Sequence, residues 1–239
     1  CFFCSIFIDC LVNKFEVLYE LSAGSHVFFL SRLPSPKIIM QALSEVKPTL
    51  VVAVPLIIEK IYKSKVKPVI EKAGMRFAMR LPGLEQVIMN KIKTELINAF
   101  GGEFIEVIIG GAAFNKEVEA FFKRMEFPFT VGYGMTECAP IITYDDYKTA
   151  KLYSCGRIVP NMEMKIDSPD PQNVAGELLV RGANVFLGYF KNEEATKEVL
   201  DADGWLHTGD MGVIDADGYL FLRGRSKCMI LGASGQNIY

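Results

Sequence analysis

Residues 104–137 read FIEVIIGGAAFNKEVEAFFKRMEFPFTVGYGMTE. The apolar, β-branched run Phe104–Ile109 predicts a strand, and Phe129–Val131 predicts another. Between them Asn115 is a capping residue, and the pattern from there through Met125 is helical. Strand, helix and strand in that order imply parallel pairing, because two parallel neighbours need a crossover that a tight turn cannot make. The second strand runs straight into Val131-Gly132-Tyr133-Gly134-Met135-Thr136-Glu137. That segment therefore lies at the carboxyl end of a sheet, where open α/β folds bind ligands.

The chemistry of the segment is coherent. Two glycines let backbone approach a ligand closely, and their N–H groups can face phosphate. Tyr133 offers an aromatic face, Thr136 a hydroxyl, and Glu137 a hard oxygen ligand suited to Mg²⁺. The same residues also fit a plain strand-end turn with a buried tyrosine and a capping threonine, so both readings stand for the segment taken alone.

Outward from this stretch the pattern stays α/β on the amino-terminal side. Ser35-Pro36 begins a helix, with apolar residues at helical spacing and a stop at Pro48. Thr49–Val54 reads as a strand buried on both faces. A helical region follows from Leu56 to Ala73, with a break at Pro68, then a helix over Leu84–Phe100 ended by Gly101-Gly102. From about Tyr153 short strands take over: Arg157–Ile166, Gly176–Arg181, Gly212–Ile214 and Tyr219–Leu222. The last two are joined by Asp215-Ala216-Asp217-Gly218, a hairpin signal. The fold class expected is α/β with a mostly parallel sheet and helices, followed by a β-rich subdomain. The division is 1–152 for the α/β part, 153–224 for the β-rich part and 225–239 for the start of a further domain.

Composition narrows the function. The chain has 239 residues, half of them hydrophobic, and a formal net charge of −2, so nucleic acid is not an expected partner. Its six cysteines are too irregularly placed for a disulfide framework, and Cys1-x-x-Cys4 has no second pair at zinc-site spacing. A reducing, cytoplasmic setting is expected. The runs Cys1–Ile8 and Leu50–Ile58 are shorter than the roughly 20 residues of a spanning helix, which leaves peripheral membrane contact open. Asp-Ala-Asp-Gly occurs at 201–204 and again at 215–218. Neither copy completes a calcium loop, so both read as turns. Gly232-Ala233-Ser234-Gly235 lacks the final glycine position of a nucleophile elbow. Trp205 reads as a core residue.

Four segments in order carry a resemblance. Gly110-Gly111-Ala112-Ala113, Gly132–Glu137, Gly204-Trp205-Leu206-His207-Thr208-Gly209-Asp210 and Arg223-Gly224-Arg225-Ser226-Lys227 are similar to the motifs of the adenylate-forming (AMP-binding) superfamily. Gly176–Phe190 fits the β-rich subdomain of that family. The likeness covers the chain from about Phe15 onward. Within the superfamily it is strongest to bacterial long-chain fatty-acid CoA ligases. Alone, Asp210 reads as a turn cap and Arg225 with Lys227 as solvated edge residues; the joint order changes both assignments.

The resemblance implies ATP-dependent activation of a carboxylic acid to an acyl-adenylate, then transfer to CoA. It implies that Gly111, Ala112, Ala113, Gly132, Tyr133, Gly134 and Met135 hold the adenine side. Asp210 and Arg225 would hold the ribose, Thr136 the phosphate, and Glu137 the Mg²⁺. Lys227 would be the hinge, and Gly232–Gly235 the loop that swings in for thioester formation. The small-molecule partners implied are ATP, fatty acid and CoA, with AMP as product; oligomeric state is not legible. Both ends read as cut. The phosphate loop and the catalytic lysine of the family are not among these residues, so the expectation is half a site, inactive alone. Two other readings stay open, an aryl- or amino-acid-adenylating domain and a non-catalytic nucleotide- or acyl-binding module.

Overall fold

The computed structural model describes residues 4–7, 21–24, 26–28, 35–81, 83–226, 230–231 and 237–238. Strands β1 (Cys4–Phe7), β2 (His26–Phe28), β3 (Leu50–Ala53), β4 (Glu106–Ile109) and β5 (Phe129–Val131) form one sheet in the order β2-β1-β3-β4-β5. The pairs β1–β2, β1–β3 and β3–β4 are parallel, and helices between β3 and β4 make the crossover that parallel pairing requires. Helix α1 (Pro36–Val46) starts where expected: the Ser35 hydroxyl oxygen accepts from the Ile38 N–H at 3.3 Å, with Pro36 in the first turn. It stops one residue before Pro48. Lys47 turns left-handed, with φ 49°, and its N–H donates to the Leu43 carbonyl.

The expected break at Pro68 takes another form. Helix α2 (Pro55–Ile61) passes through a π turn, Tyr62–Val66, into α3 (Lys67–Ile70) without leaving helical geometry. Proline has no N–H to give and its ring crowds the carbonyl four residues back. One widened turn, closed by the Lys67 N–H on the Tyr62 carbonyl, accommodates both. A short α4 (Ala73–Ala78) and a long α5 (Leu84–Ala99) complete the connection to β4. Gly101 follows at φ 101°, and a Cβ there would sit 2.5 Å from the Leu43 carbonyl oxygen, so only glycine lets α5 end against α1.

Helix α6 (Lys116–Arg124) is capped by Asn115, whose side-chain oxygen accepts from Glu117 and Val118. Glu117 and Glu119 lie in its first turn and Lys123 and Arg124 in its last, matching the helix dipole. Its apolar face enters a cluster of phenylalanines (Phe100, Phe104, Phe114, Phe122, Phe127 and Phe129) whose neighbouring ring centroids are 4.9 to 6.2 Å apart.

Beyond β5 the pairing becomes antiparallel. It begins at Tyr133, earlier than the expected change near Tyr153. Strands β6 (Tyr133–Gly134), β7 (Ile141–Tyr144) and β8 (Arg157–Ile158) form one sheet. Strands β9 (Met162–Asp167), β10 (Gly176–Gly182), β11 (Leu206–Ile214) and β12 (Leu220–Arg225) form another, in the order β12-β11-β10-β9. The expected strand 157–166 is two strands, parted where Asn161 takes φ 67°. Helix α7 (Glu193–Val199), capped by Asn192, has no counterpart in the sequence reading. A core of Cys138, Ile142, Ile166, Leu178, Val180, Leu206 and Leu220 holds this part together. Strands β13 (Ile230–Leu231) and β14 (Asn237–Ile238) pair with each other.

Both Asp-Ala-Asp-Gly copies make the same turn. Asp201 accepts from the N–H groups of Asp203 and Trp205, and Asp215 from those of Asp217 and Tyr219. The first turn delivers Trp205 to the sheet, where it is half-buried rather than core. Lys165 Nζ and the Arg181 guanidinium lie 4.1 and 4.6 Å from its ring centroid, within cation–π range. The chain divides into two compact units, Cys1–Thr130 and Val131–Tyr239. Among the described residues no helix is long and apolar enough to cross a membrane.

Candidate functional site

Residues far apart in sequence meet in the second unit. Tyr133, on the short strand β6, donates its hydroxyl to Asp210 Oδ2 at 2.6 Å across 77 residues of chain. Arg225 Nε donates to Asp210 Oδ1 at 2.9 Å. The Asp210 side chain is 9% exposed and that of Arg225 74%. The result is a buried carboxylate with one partner inside and one at the surface. Burial, and then the hydrogen bond to the Asp210 carboxylate, push the Tyr133 hydroxyl well above the ordinary phenol range, so it stays a donor at any physiological pH.

A register irregularity makes the Asp210–Arg225 pair. On β11 and β12, Gly212 faces Leu222, but Met211 faces Gly224 and Asp210 faces Arg225. One extra residue, Arg223, bulges out of β12 between those pairings. An unbroken ladder would set Gly224 opposite Asp210 and leave the carboxylate without its cation.

Strand β10 fixes the approach to Asp210. Glu177 Oε1 accepts from the Gly209 N–H at 3.0 Å, and its Oε2 lies 3.0 Å from His207 Nδ1. The Thr208 hydroxyl donates to the Leu178 carbonyl and accepts from the Asp210 N–H. Glu177 and Thr208 carry no role in the sequence reading. A bare Gly-Glu-Leu string does not say which N–H groups its carboxylate will meet.

Around Glu137 a second network forms. Tyr189 donates its hydroxyl to Glu137 Oε1 at 2.9 Å, and the Phe186 N–H donates to the Glu137 carbonyl at 2.8 Å. The Phe186 and Tyr189 rings meet edge to face, 4.9 Å between centroids. Asn184 donates its amide to the carbonyls of Cys138 and Ile141. Residues 184–189 thus clamp the turn that carries Glu137. Tyr189 was visible in sequence only as part of Gly-Tyr-Phe; its partner lies 52 residues away.

The other singled-out residues fall as follows. Gly132 is buried ahead of β6, Gly134 ends β6, and Met135 packs against the core. A Cβ at Gly134 would lie 2.1 Å from the Pro140 carbonyl oxygen, so the chain's own backbone makes the close approach there. Met135 N–H donates to that same oxygen. Thr136 is exposed at the start of a short 3₁₀ turn, Thr136–Cys138. Gly111, Ala112 and Ala113 belong to the first unit, exposed just after β4, with Gly111 at φ 83°. Lys227 and Gly232–Gly235 lie outside the described residues, as does Cys1 of the Cys-x-x-Cys pair.

The donor set suits the groups expected of it. An ionised carboxylate has about four lone-pair sites, so Asp210 can hold Tyr133 and Arg225 and still accept from two adjacent hydroxyls. Glu137, half-buried with one oxygen held by Tyr189, presents the single carboxylate that Mg²⁺ commonly takes beside phosphate oxygens.

The chain is 30% identical to the long-chain-fatty-acid–CoA ligase ACSBG2 of Gallus gallus over 93% of its length, covering 32% of that protein. It is 32% identical to the long-chain-fatty-acid–CoA ligase FadD15 of Mycobacterium bovis over 84% of its length, covering 36% of it. The chain therefore spans about a third of the length of these curated relatives. Among solved structures, O-succinylbenzoate coenzyme A synthetase of Bacillus subtilis in complex with AMP superposes with a TM-score of 0.75 at 22% identity, covering 99% of this chain and 44% of that one. The anthranilate CoA ligase AuaEII in complex with anthranoyl-AMP does so with a TM-score of 0.75 at 20% identity, covering 99% and 42%. These structures share the α/β fold with its antiparallel subdomain. The profile of AMP-binding enzymes matches residues 7–190, most of the chain, and the chain belongs to the AMP-binding enzyme family.

Proposed function

We propose that this chain supplies the adenosine and Mg²⁺ contacts of an acid–thiol ligase, which activates a long-chain fatty acid with ATP and passes the acyl group to CoA. The observation that carries this reading is the Tyr133–Asp210–Arg225 cluster. Three of the four recognised segments contribute one side chain each to a single buried carboxylate, an arrangement a set of unrelated turns has no reason to make.

In this reading Asp210 accepts from the two ribose hydroxyls, held in place by its own two donors. Arg225 also reaches the ribose. The Tyr133 ring, anchored through its hydroxyl, lies along the adenine, a role that the resemblance also gives Gly111, Ala112 and Ala113. The Thr136 hydroxyl bonds a phosphate oxygen, and Glu137, oriented by Tyr189, is the Mg²⁺ ligand. The metal, when bound, neutralises phosphate charge. What these residues contribute is positioning and fixed dipoles, the main resource for attack of a carboxylate on the α-phosphate. Lys227 is the pivot at the 224/225 division, where a small following domain would turn between the two half-reactions.

The names of the relatives support a long-chain fatty acid as substrate, and those of the structural neighbours keep an aryl acid as the second reading. ATP–pyrophosphate exchange on the full-length protein with palmitate, benzoate and amino acids separates them. Exchange with palmitate is expected. Exchange with benzoate or amino acids alone would overturn the substrate assignment, and none with any acid would favour a binding module.

A further inference from the structure

Strand β11 departs from a regular ladder on its β10 side, beside Asp210. Gly176 faces Gly212 and Glu177 faces Met211, but Leu179 faces His207 and Val180 faces Leu206. Between those pairings β10 has one residue, Leu178, and β11 has three, Thr208, Gly209 and Asp210. The bulge therefore holds two residues more than its partner strand. Gly209 takes φ 71° within it, a conformation that glycine adopts freely. On the other side of β11 the ladder is irregular too, at Arg223 of β12, so Asp210 sits between two departures from register.

Hydrophobic patterning does not hold a bulge of this length. A one-residue slip would turn the side chains of β11 to the wrong face, but a two-residue slip returns each to its own face. What opposes such a slip is the set of bonds at the bulge itself. Glu177 Oε1 accepts from the Gly209 N–H at 3.0 Å, and its Oε2 lies 3.0 Å from His207 Nδ1. One carboxylate thus grips the middle of the bulge and the paired residue just before it. The Thr208 hydroxyl donates to the Leu178 carbonyl at 2.8 Å and accepts from the Asp210 N–H at 3.1 Å. It ties the facing strand to the backbone of Asp210. Both side chains are half-buried, where such bonds weigh more than in open water.

We propose that Glu177 and Thr208 are positioning residues for the nucleotide. They hold the β11 bulge at the length that aims the Asp210 carboxylate at the two ribose hydroxyls, and so set the preference for an intact ribose. Each acts through the backbone of residues 208–210, not by touching the nucleotide. The inference rests on the reading of Asp210 as the ribose ligand and adds the residues that enforce it.

The test is calorimetric titration of the full-length protein with AMP and with 2′,3′-dideoxy-AMP, which lacks both ribose hydroxyls. The unaltered protein should prefer AMP by about tenfold or more. Thr208→Val keeps the shape of the side chain and removes its donor and acceptor. It should weaken AMP about tenfold and dideoxy-AMP less than about twofold, and Thr208→Ser should restore the preference. Glu177→Ala should act in the same direction, whereas Glu177→Gln keeps an oxygen for the Gly209 N–H and should lose less. In an Asp210→Asn background Thr208→Val should cost AMP less than about twofold, because the group it positions is already gone. Equal losses for the two nucleotides would make both residues merely structural and overturn the proposal. So would an unchanged preference in both Thr208→Val and Glu177→Ala, or failure of both variants to fold in urea titrations. If the unaltered protein binds the two nucleotides alike, the ribose reading of Asp210 fails first, and this inference falls with it.

Discussion

Replacing Asp210 by asparagine keeps the shape of the side chain and removes its charge and half its acceptor capacity. The folded protein loses little through Arg225, whose side chain is 74% exposed; such a surface pair contributes at most about 1 kcal/mol. The Tyr133 bond, 2.6 Å long and sheltered, is of the charged-acceptor kind that contributes roughly 1.5–3 kcal/mol. Because the amide retains one oxygen and the hydroxyl can turn, Asp210→Asn should lower the unfolding free energy by about 1–2 kcal/mol. Its effect on AMP should be larger. Two hydroxyls that would donate to a carboxylate meet one neutral oxygen and one N–H pair, a loss of about 3 kcal/mol or roughly a hundredfold in affinity. Tyr133→Phe keeps the carboxylate and the ring, so it should cost stability similarly but weaken AMP less than about tenfold. Urea unfolding and calorimetric titration of AMP measure both quantities on the same samples. If Asp210→Asn binds AMP within about threefold of the unaltered protein, the carboxylate does not hold the ribose. If Tyr133→Phe loses as much as Asp210→Asn, the hydroxyl is the ligand and the roles are reversed.

Three further outcomes are expected. Tyr189→Phe removes the donor to Glu137 Oε1, and should raise the Mg²⁺ concentration needed for half-maximal activity about two- to tenfold while leaving the KM for ATP at saturating Mg²⁺ unchanged; an unchanged Mg²⁺ dependence removes Tyr189 from the site. Gly134→Ala puts a Cβ 2.1 Å from the Pro140 carbonyl oxygen, forcing β6 from β7, and should cost more than about 2 kcal/mol in urea unfolding; a loss below about 0.5 kcal/mol would show that the turn yields freely. Burial first, and then the Glu137 charge, push the Cys138 thiol up to about 12 from its ordinary 9.0. The unfolded thiol therefore ionises before the folded one. Stability from this group is intact below pH 9.0 and falls as pH rises toward about 12, by roughly 1.4 kcal/mol per pH unit. Cys138→Ala should flatten the dependence of unfolding midpoint on pH between 9 and 10, before Tyr133 contributes; an unaltered slope there would show that Cys138 is not its source.

What the sequence by itself determined was local and periodic. Ser35-Pro36 and Asn115 act on backbone groups within four residues, so their effects on α1 and α6 are readable without knowing what packs nearby. The order of strand, helix and strand fixed parallel pairing by the length of the connection alone. Asp215–Gly218 closes its turn with its own carboxylate, and that too was legible. The motif residues Tyr133, Glu137, Asp210 and Arg225 could be picked out, but not their partners. The tertiary structure decided that Tyr133 reaches Asp210 across 77 residues and Tyr189 reaches Glu137 across 52. It placed Arg225 opposite Asp210 through a bulge at Arg223, gave Gly134 a carbonyl to accommodate, and left Trp205 half-buried beside two cations. A capping bond is closed by its neighbours in the chain, whereas a register or a buried hydroxyl–carboxylate pair depends on how distant strands slide and pack. No local pattern encodes that, because shifting a ladder by one residue changes every facing partner while leaving each strand's own pattern intact.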